Sequence, residues 1–183
     1  METPRGRWEW TGYGQTDRGL VRSSNQDAFL VDNRRRLWAV ADGMGGHPGG
    51  DVASRIVMDT LADFSPSLIR SAVPPGEDQG EQQSFLLTTM AEQAHAAVRA
   101  YADHHPPFYG MGTTLVMAHL LPEPTPRLLV LNVGDSRAYL VRAGRIIQLT
   151  RDHTLIDDYV RDGRLTPEQA ARHPDRHVLT RAI

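Results

Sequence analysis

The stretch LWAVADGMGGHPGGDVAS at positions 37–54 decides what this chain can become. An apolar run, Leu37 to Ala41, has the composition of a buried strand. It delivers one carboxylate, Asp42, into a break built from Gly43, Gly45, Gly46, Gly49 and Gly50. A helical pattern resumes from Asp51. Glycines let backbone carbonyls and amides approach a ligand with no side chain in the way. A carboxylate beside a bare carbonyl is hard-oxygen chemistry of the kind magnesium and manganese prefer. The stretch predicts a metal–phosphate site.

Working outward, the 183 residues predict one domain, 1–183, long enough to bury a core. Apolar residues make up 40% and charged residues 23%, the ordinary balance of a globular protein. A net charge of −2 argues against nucleic acid or an anionic membrane as partner. No apolar run approaches the roughly eighteen residues of a membrane span. METPRGRWEW at the start has no apolar signal region, so a cytoplasmic location is the default expectation.

Two absences exclude whole chemistries. Without cysteine there are no disulfides, thiolate zinc sites or cysteine-nucleophile phosphatases. All 20 basic residues are arginine. That closes the Walker-A loop, the protein-kinase site and Schiff-base catalysis, each of which needs a lysine.

Periodicity predicts short strands at Trp8 to Thr11, Ala28 to Val31 and Arg36 to Ala41. A helix follows from Asp51 to Phe64, with Ala53, Ile56, Val57, Leu61 and Phe64 on one stripe. SPSLIRSAVPPGEDQGEQ reads as a surface loop. A second helix is expected from Gln83 to Asp103, striped by Leu87, Met90, Ala91, Ala94, Ala97, Val98 and Tyr101, and stopped by HHPPF. Strands return at 113–121, 127–133, 136–142 and 145–149, with hairpin spacings that favour antiparallel pairing. Thr166 caps a last helix with Pro167 at its first position. This order is α+β.

Four segments bear carboxylates next to strands: RSSNQDAF (22–29), ADGMGGH (41–47), NVGDSRAYL (132–140) and TRDHT (150–154). Strand ends on a rigid scaffold can aim ligands at one point. Any one such Asp alone reads equally as a turn residue bonding its own backbone.

Taken in order, RxxxQD, DGMGGH, GMGTT (110–114), NVGDSRAYL and LTRDHT resemble the metal-dependent serine/threonine phosphatases of type 2C in their bacterial form. The resemblance covers about residues 14–183. It implies a four-layer sandwich in which two packed antiparallel β-sheets are flanked by helices. It also implies hydrolysis of phosphoserine and phosphothreonine by a metal-activated water, with two Mn2+ or Mg2+ ions and a third in bacterial members. The partners implied are phosphorylated proteins, substrates of a bacterial serine/threonine kinase. Asp42 matches the carboxylate that bridges two ions, and Gly43 supplies a carbonyl to one of them. Asp27 lies in the segment used near the second ion, mostly through water; the position before it, often Glu in the family, is Gln26. Asp135 matches the ligand of a third, weaker ion. Arg22 matches the phosphate-binding arginine, whose planar fork suits phosphate oxygens. His47 is the candidate general acid. Residues 154–177 resemble the variable flap beside the active site.

The family pattern continues beyond HVLTRAI with two more aspartate-bearing segments, so the domain is expected to be incomplete at its C-terminus. Little turnover is expected of these 183 residues alone. A catalytically impaired homologue that binds or regulates phosphoproteins is the alternative. A dinucleotide-binding domain is disfavoured, because GMGGHPG lacks the G-x-G-x-x-G spacing and no β-α-β unit follows.

Overall fold

In a computed structural model describing residues 9–44, 49–70, 78–121 and 126–183, two strands come first: β1 (Asp27–Asp32) and β2 (Leu37–Asp42). Three helices follow: α1 (Gly50–Phe64), the one-turn α2 (Ser67–Arg70) and α3 (Gln79–His104). After a 3-10 turn at Pro106–Phe108 come β3 (Leu115–Leu121), β4 (Arg127–Val133), β5 (Tyr139–Arg142) and β6 (Arg145–Gln148). Helices α4 (Leu155–Arg161) and α5 (Pro167–Ala170) close the order. The fold is α+β with two antiparallel sheets, as expected.

Strands β1 to β4 pair in sequence order as one antiparallel sheet, and β5–β6 form a separate hairpin. The period of two along β2 sets the faces: Leu37, Ala39 and Ala41 are buried, whereas Val40 is exposed. One cross-strand row, Leu30–Ala39–Met117–Leu131, runs over all four strands on the buried side. Helices α1 and α3 pack on each other and on this face. They bring Ala53, Val57 and Leu61 from one, and Leu87, Met90, Ala94 and Val98 from the other. Both predicted stripes therefore meet the sheet, although Phe64, placed on the first, is exposed where α1 ends. On the opposite face Phe29 and Val40 are exposed to solvent.

Several boundaries differ from expectation for identifiable reasons. Helix α3 starts at Gln79 rather than Gln83 because Asp78 caps it, accepting from the Gly80 amide, and is itself held by Arg127 of β4 at 2.8 Å. The segment 9–11 forms no strand; nearby, the Asn33 side chain accepts from the Gly12 amide (2.7 Å) and donates to its carbonyl (3.2 Å) in place of a ladder. The runs at 127–133 and 136–142 are not a hairpin. The chain leaves the first sheet at Gly134, and β5 begins only at Tyr139 in the second. Thr166 and Gln169 form the reciprocal cap of α5.

Candidate metal centre

Asp27 opens β1 and Asp42 ends β2, and the two are direct partners in the antiparallel register. Their side chains therefore leave the sheet on the same face, the one away from the helices. The main chain at Asp42 is held on both sides. Its amide donates to Thr114 Oγ1 at 3.0 Å, and its carbonyl accepts from the Thr114 amide at 2.9 Å. One residue on, the Gly43 amide donates to the Gln26 carbonyl at 3.1 Å. The same carbonyl accepts from buried Ser54 Oγ of α1 at 2.7 Å. A Cβ on Gly43 would stand 2.2 Å from the Gly50 carbonyl oxygen, so only glycine lets β2 end against the start of α1. Among the described residues the Gly43 carbonyl accepts no hydrogen bond, which leaves it available to a ligand.

Asp135 arrives from the turn between the two sheets. Gly134 has φ of 103°, and a Cβ there would meet the Thr114 side chain at 2.7 Å. Thr114 Oγ1 lies 2.6 Å from Ser136 Oγ, tying the turn that carries Asp135 to the strand end that carries Asp42. The segment after β6 locks this turn from outside. The Gly134 amide donates to His153 Nδ1 at 3.2 Å, and its carbonyl accepts from the His153 amide at 3.0 Å. Arg137 grips Asp152 with two nitrogens, at 2.8 and 2.6 Å. Asp152 and His153, although they follow the last strand, thus brace the Gly134 turn between the two sheets.

The charges explain what the arrangement is suited to hold. The Asp42 carboxyl is pushed up to about 6. Partial enclosure contributes most, followed by the charge of Asp27, a hydrogen bond shared with Asp27, and the charge of Asp135; Arg22 pulls the other way. Of these causes, the crowding by the like charges of Asp27 and Asp135 is the one that a cation would reverse. Arg22 lines a cavity of about 180 Å³ together with Arg18, Asn25, Asp27, Asp42 and Gly43. The loop that presents it is pinned by Asp17, which accepts from the Gly19 amide at 2.7 Å, and by Asn25, which donates to Thr16 Oγ1 at 2.9 Å.

Of the residues singled out in the sequence, Arg22, Asp27, Asp42 and Gly43 are thus brought to one cavity, with Asp135 within electrostatic reach. His47 lies outside the described residues, as do Gly45 and Gly46. Arg18 was missed, although DRGLVR carries it close to Arg22. Thr114 and Ser136 were also missed, since nothing in their local sequence marks the contact between them. Among the described residues no three acidic or histidine side chains close around a single point tightly enough to hold an ion unaided. Two carboxylates and a free carbonyl nonetheless fit Mg2+ or Mn2+, hard ions that bind through few protein oxygens and retain water.

Comparison with known proteins identifies the family of this fold. Residues 12–180 match the family Protein phosphatase 2C. The serine/threonine protein phosphatase PstP of Mycobacterium tuberculosis is 38% identical over 169 residues, covering 92% of this chain and 30% of PstP. The serine/threonine phosphatase stp of Listeria innocua is 36% identical over 172 residues, covering 92% of this chain and 65% of the relative. A crystal structure of the PstP catalytic domain in complex with two manganese ions superposes with a TM-score of 0.69 at 36% identity, covering 92% of this chain and 64% of that one. The chain belongs to the protein phosphatase 2C family. It spans between about a third and two thirds of the length of these relatives.

Proposed function

We propose that this chain provides the N-terminal part of the catalytic centre of a metal-dependent protein serine/threonine phosphatase. The observation that carries this is the Asp27–Asp42 pair, two carboxylates set directly opposite each other with Arg22 beside them. Such a pair is unfavourable unless a cation neutralises it. Asp42, Asp27 and the Gly43 carbonyl would hold the divalent ions, and Asp135 a further one. The family membership and the manganese ions in the PstP structure support the choice of Mn2+ or Mg2+. Bound there, such ions supply the Lewis acidity that activates water for in-line attack on phosphorus and offsets developing charge. Arg22 would take two phosphate oxygens in its fork and orient the group over the carboxylates. His47 is the proposed donor of a proton to the departing serine or threonine oxygen.

The proposed partners are phosphorylated serine and threonine side chains of proteins, made by a bacterial serine/threonine kinase in the cytoplasm. No helix among the described residues is long and apolar enough to cross a membrane. The decisive experiment combines calorimetry with Mn2+ and hydrolysis of p-nitrophenyl phosphate. Manganese uptake that disappears in Asp42→Ala is the expected result, together with phosphate release by protein that carries the whole domain. Uptake unaffected by Asp42→Ala would remove the proposal. Uptake without release from the whole domain would leave a phosphoprotein-binding role.

A further inference from the structure

Thr114 touches the segments that carry Asp42 and Asp135 at once, and its hydrogen bonds have a direction. A threonine hydroxyl has one proton to give and two lone pairs to receive. The Asp42 amide donates into Thr114 Oγ1 at 3.0 Å, which occupies one lone pair. The second contact, at 2.6 Å, is to Ser136 Oγ, one residue beyond Asp135. Two hydroxyls that share one bond leave one proton over. Thr114 is 3% exposed and its hydroxyl has no other acceptor among the described residues, whereas Ser136 is only half-buried and can reach water. A buried proton without an acceptor is costly, so Thr114 donates and Ser136 accepts. We propose that Thr114 is a positioning residue: the relay from the Asp42 amide through its hydroxyl to Ser136 holds Asp135 where the further ion binds. The inference rests on the metal centre proposed above and deepens it.

Three features make the relay stiff. The Thr114 amide also donates to the Asp42 carbonyl at 2.9 Å, so residue 114 cannot slide along β2. Its neighbour Thr113 is held separately, its amide donating to the Ile183 carbonyl at 3.2 Å and its carbonyl accepting from the Ile183 amide at 2.9 Å. The Thr114 methyl lies against Gly134, where a Cβ would come within 2.7 Å of it. A branched side chain has few rotamers, and this one must serve hydroxyl and methyl together. Hydrogen bonds in series also polarise one another. The relay carries no net charge, and Arg137, Asp152 and His153 brace the same turn from outside. Cutting the relay therefore changes position while every charge of the centre remains.

Calorimetric titration of protein carrying the whole domain with Mn2+, beside melting temperatures without metal, tests this with no turnover involved. Thr114→Val keeps the shape and loses the hydroxyl, and is expected to weaken the weakest binding step about tenfold or more. Thr114→Ser keeps the hydroxyl and is expected to restore most of that loss. Ser136→Ala cuts only the far end of the relay and carries the test if Thr114→Val does not fold. It is expected to weaken the weakest step by a similar factor and to leave the tighter steps within about twofold. A merely structural Thr114 would lower the melting temperature and every step together, and Ser136→Ala would move none of them. A weakest step unmoved in folded Ser136→Ala, or Thr114→Ser binding no better than Thr114→Val, overturns the relay while the metal centre stands. Mn2+ uptake that survives Asp42→Ala removes the metal centre, and the relay with it.

Discussion

Asp27 and Asp42 face each other across the β1–β2 ladder, the first residue of one strand against the last of the other, with the next hydrogen bond running from Gly43 back to Gln26. Like charges directly opposite in an antiparallel pair destabilise a sheet. This protein places them where Thr114 holds the Asp42 backbone from both sides, so the pair cannot relax by fraying the strand end. The repulsion persists in the fold, and a cation bound between the two carboxylates would relieve it.

That relationship sets the outcome of Asp42→Asn. The neutral amide removes the repulsion while keeping the shape, so the metal-free variant is expected to melt a few degrees higher than wild type. Its Mn2+ affinity is expected to fall by about 100-fold or more. Differential scanning calorimetry with and without Mn2+ reads both effects, and a lower melting temperature in the metal-free variant would contradict the first.

The same pair determines how stability varies with pH. Asp42 titrates near 6 in the folded protein against an ordinary 3.8, so between those values the native state binds more protons than the unfolded chain. The contribution of Asp42 to metal-free stability is therefore greatest below about pH 4 and declines as pH rises to about 6. Manganese stabilisation runs the opposite way, weak at pH 5 and full at pH 7.5, because protons compete for the same carboxyl. Thermal melts of wild type and Asp42→Asn at both pH values, with and without Mn2+, check the crossing, and the variant should lack it.

Gly43→Ala tests the close approach that ends β2. The added Cβ meets the Gly50 backbone at 2.2 Å, where no flexible side chain can yield, and should cost about 2 kcal/mol or more. Gly19→Ala is the control, since its φ is 72° but nothing lies within 4 Å. It should cost only the left-handed penalty of about 1 kcal/mol. Urea denaturation midpoints distinguish the two.

Arg137→Ala removes the fork that holds Asp152. Arg137 is half exposed, so the stability loss is expected to be only about 1 kcal/mol. The larger effect falls on Asp135, whose turn loses its outer brace, and is read as weaker binding of the weakest manganese ion in calorimetry. Arg137→Lys should restore little, because an ammonium cannot reproduce the bidentate contact.

How much of this was legible beforehand differs from one element to the next. The α1 and α3 stripes could be read because the residues that pack against the sheet recur at helical spacing. The start of α3 could not, because Asp78 owes part of its place to Arg127 on a distant strand. The boundary between β4 and β5 was hidden for the same kind of reason. Gly134 and Asp135 look like a hairpin turn locally, and the exchange of sheets is imposed by Thr114, Ser136 and His153.

From its residues alone, this chain could be read as an α+β scaffold carrying a candidate hard-oxygen site: glycines around Asp42, no cysteine and no lysine leave few other chemistries open. Those properties belong to residue types and local spacing, and they hold whatever the chain folds against. Only the tertiary structure decided that Asp27 opposes Asp42, that Asp135 stands close enough to raise its proton affinity, and that Arg22 lines one cavity with both carboxylates. Register, charge proximity and enclosed volume arise between segments far apart in the chain, and no local pattern encodes the distances that set them.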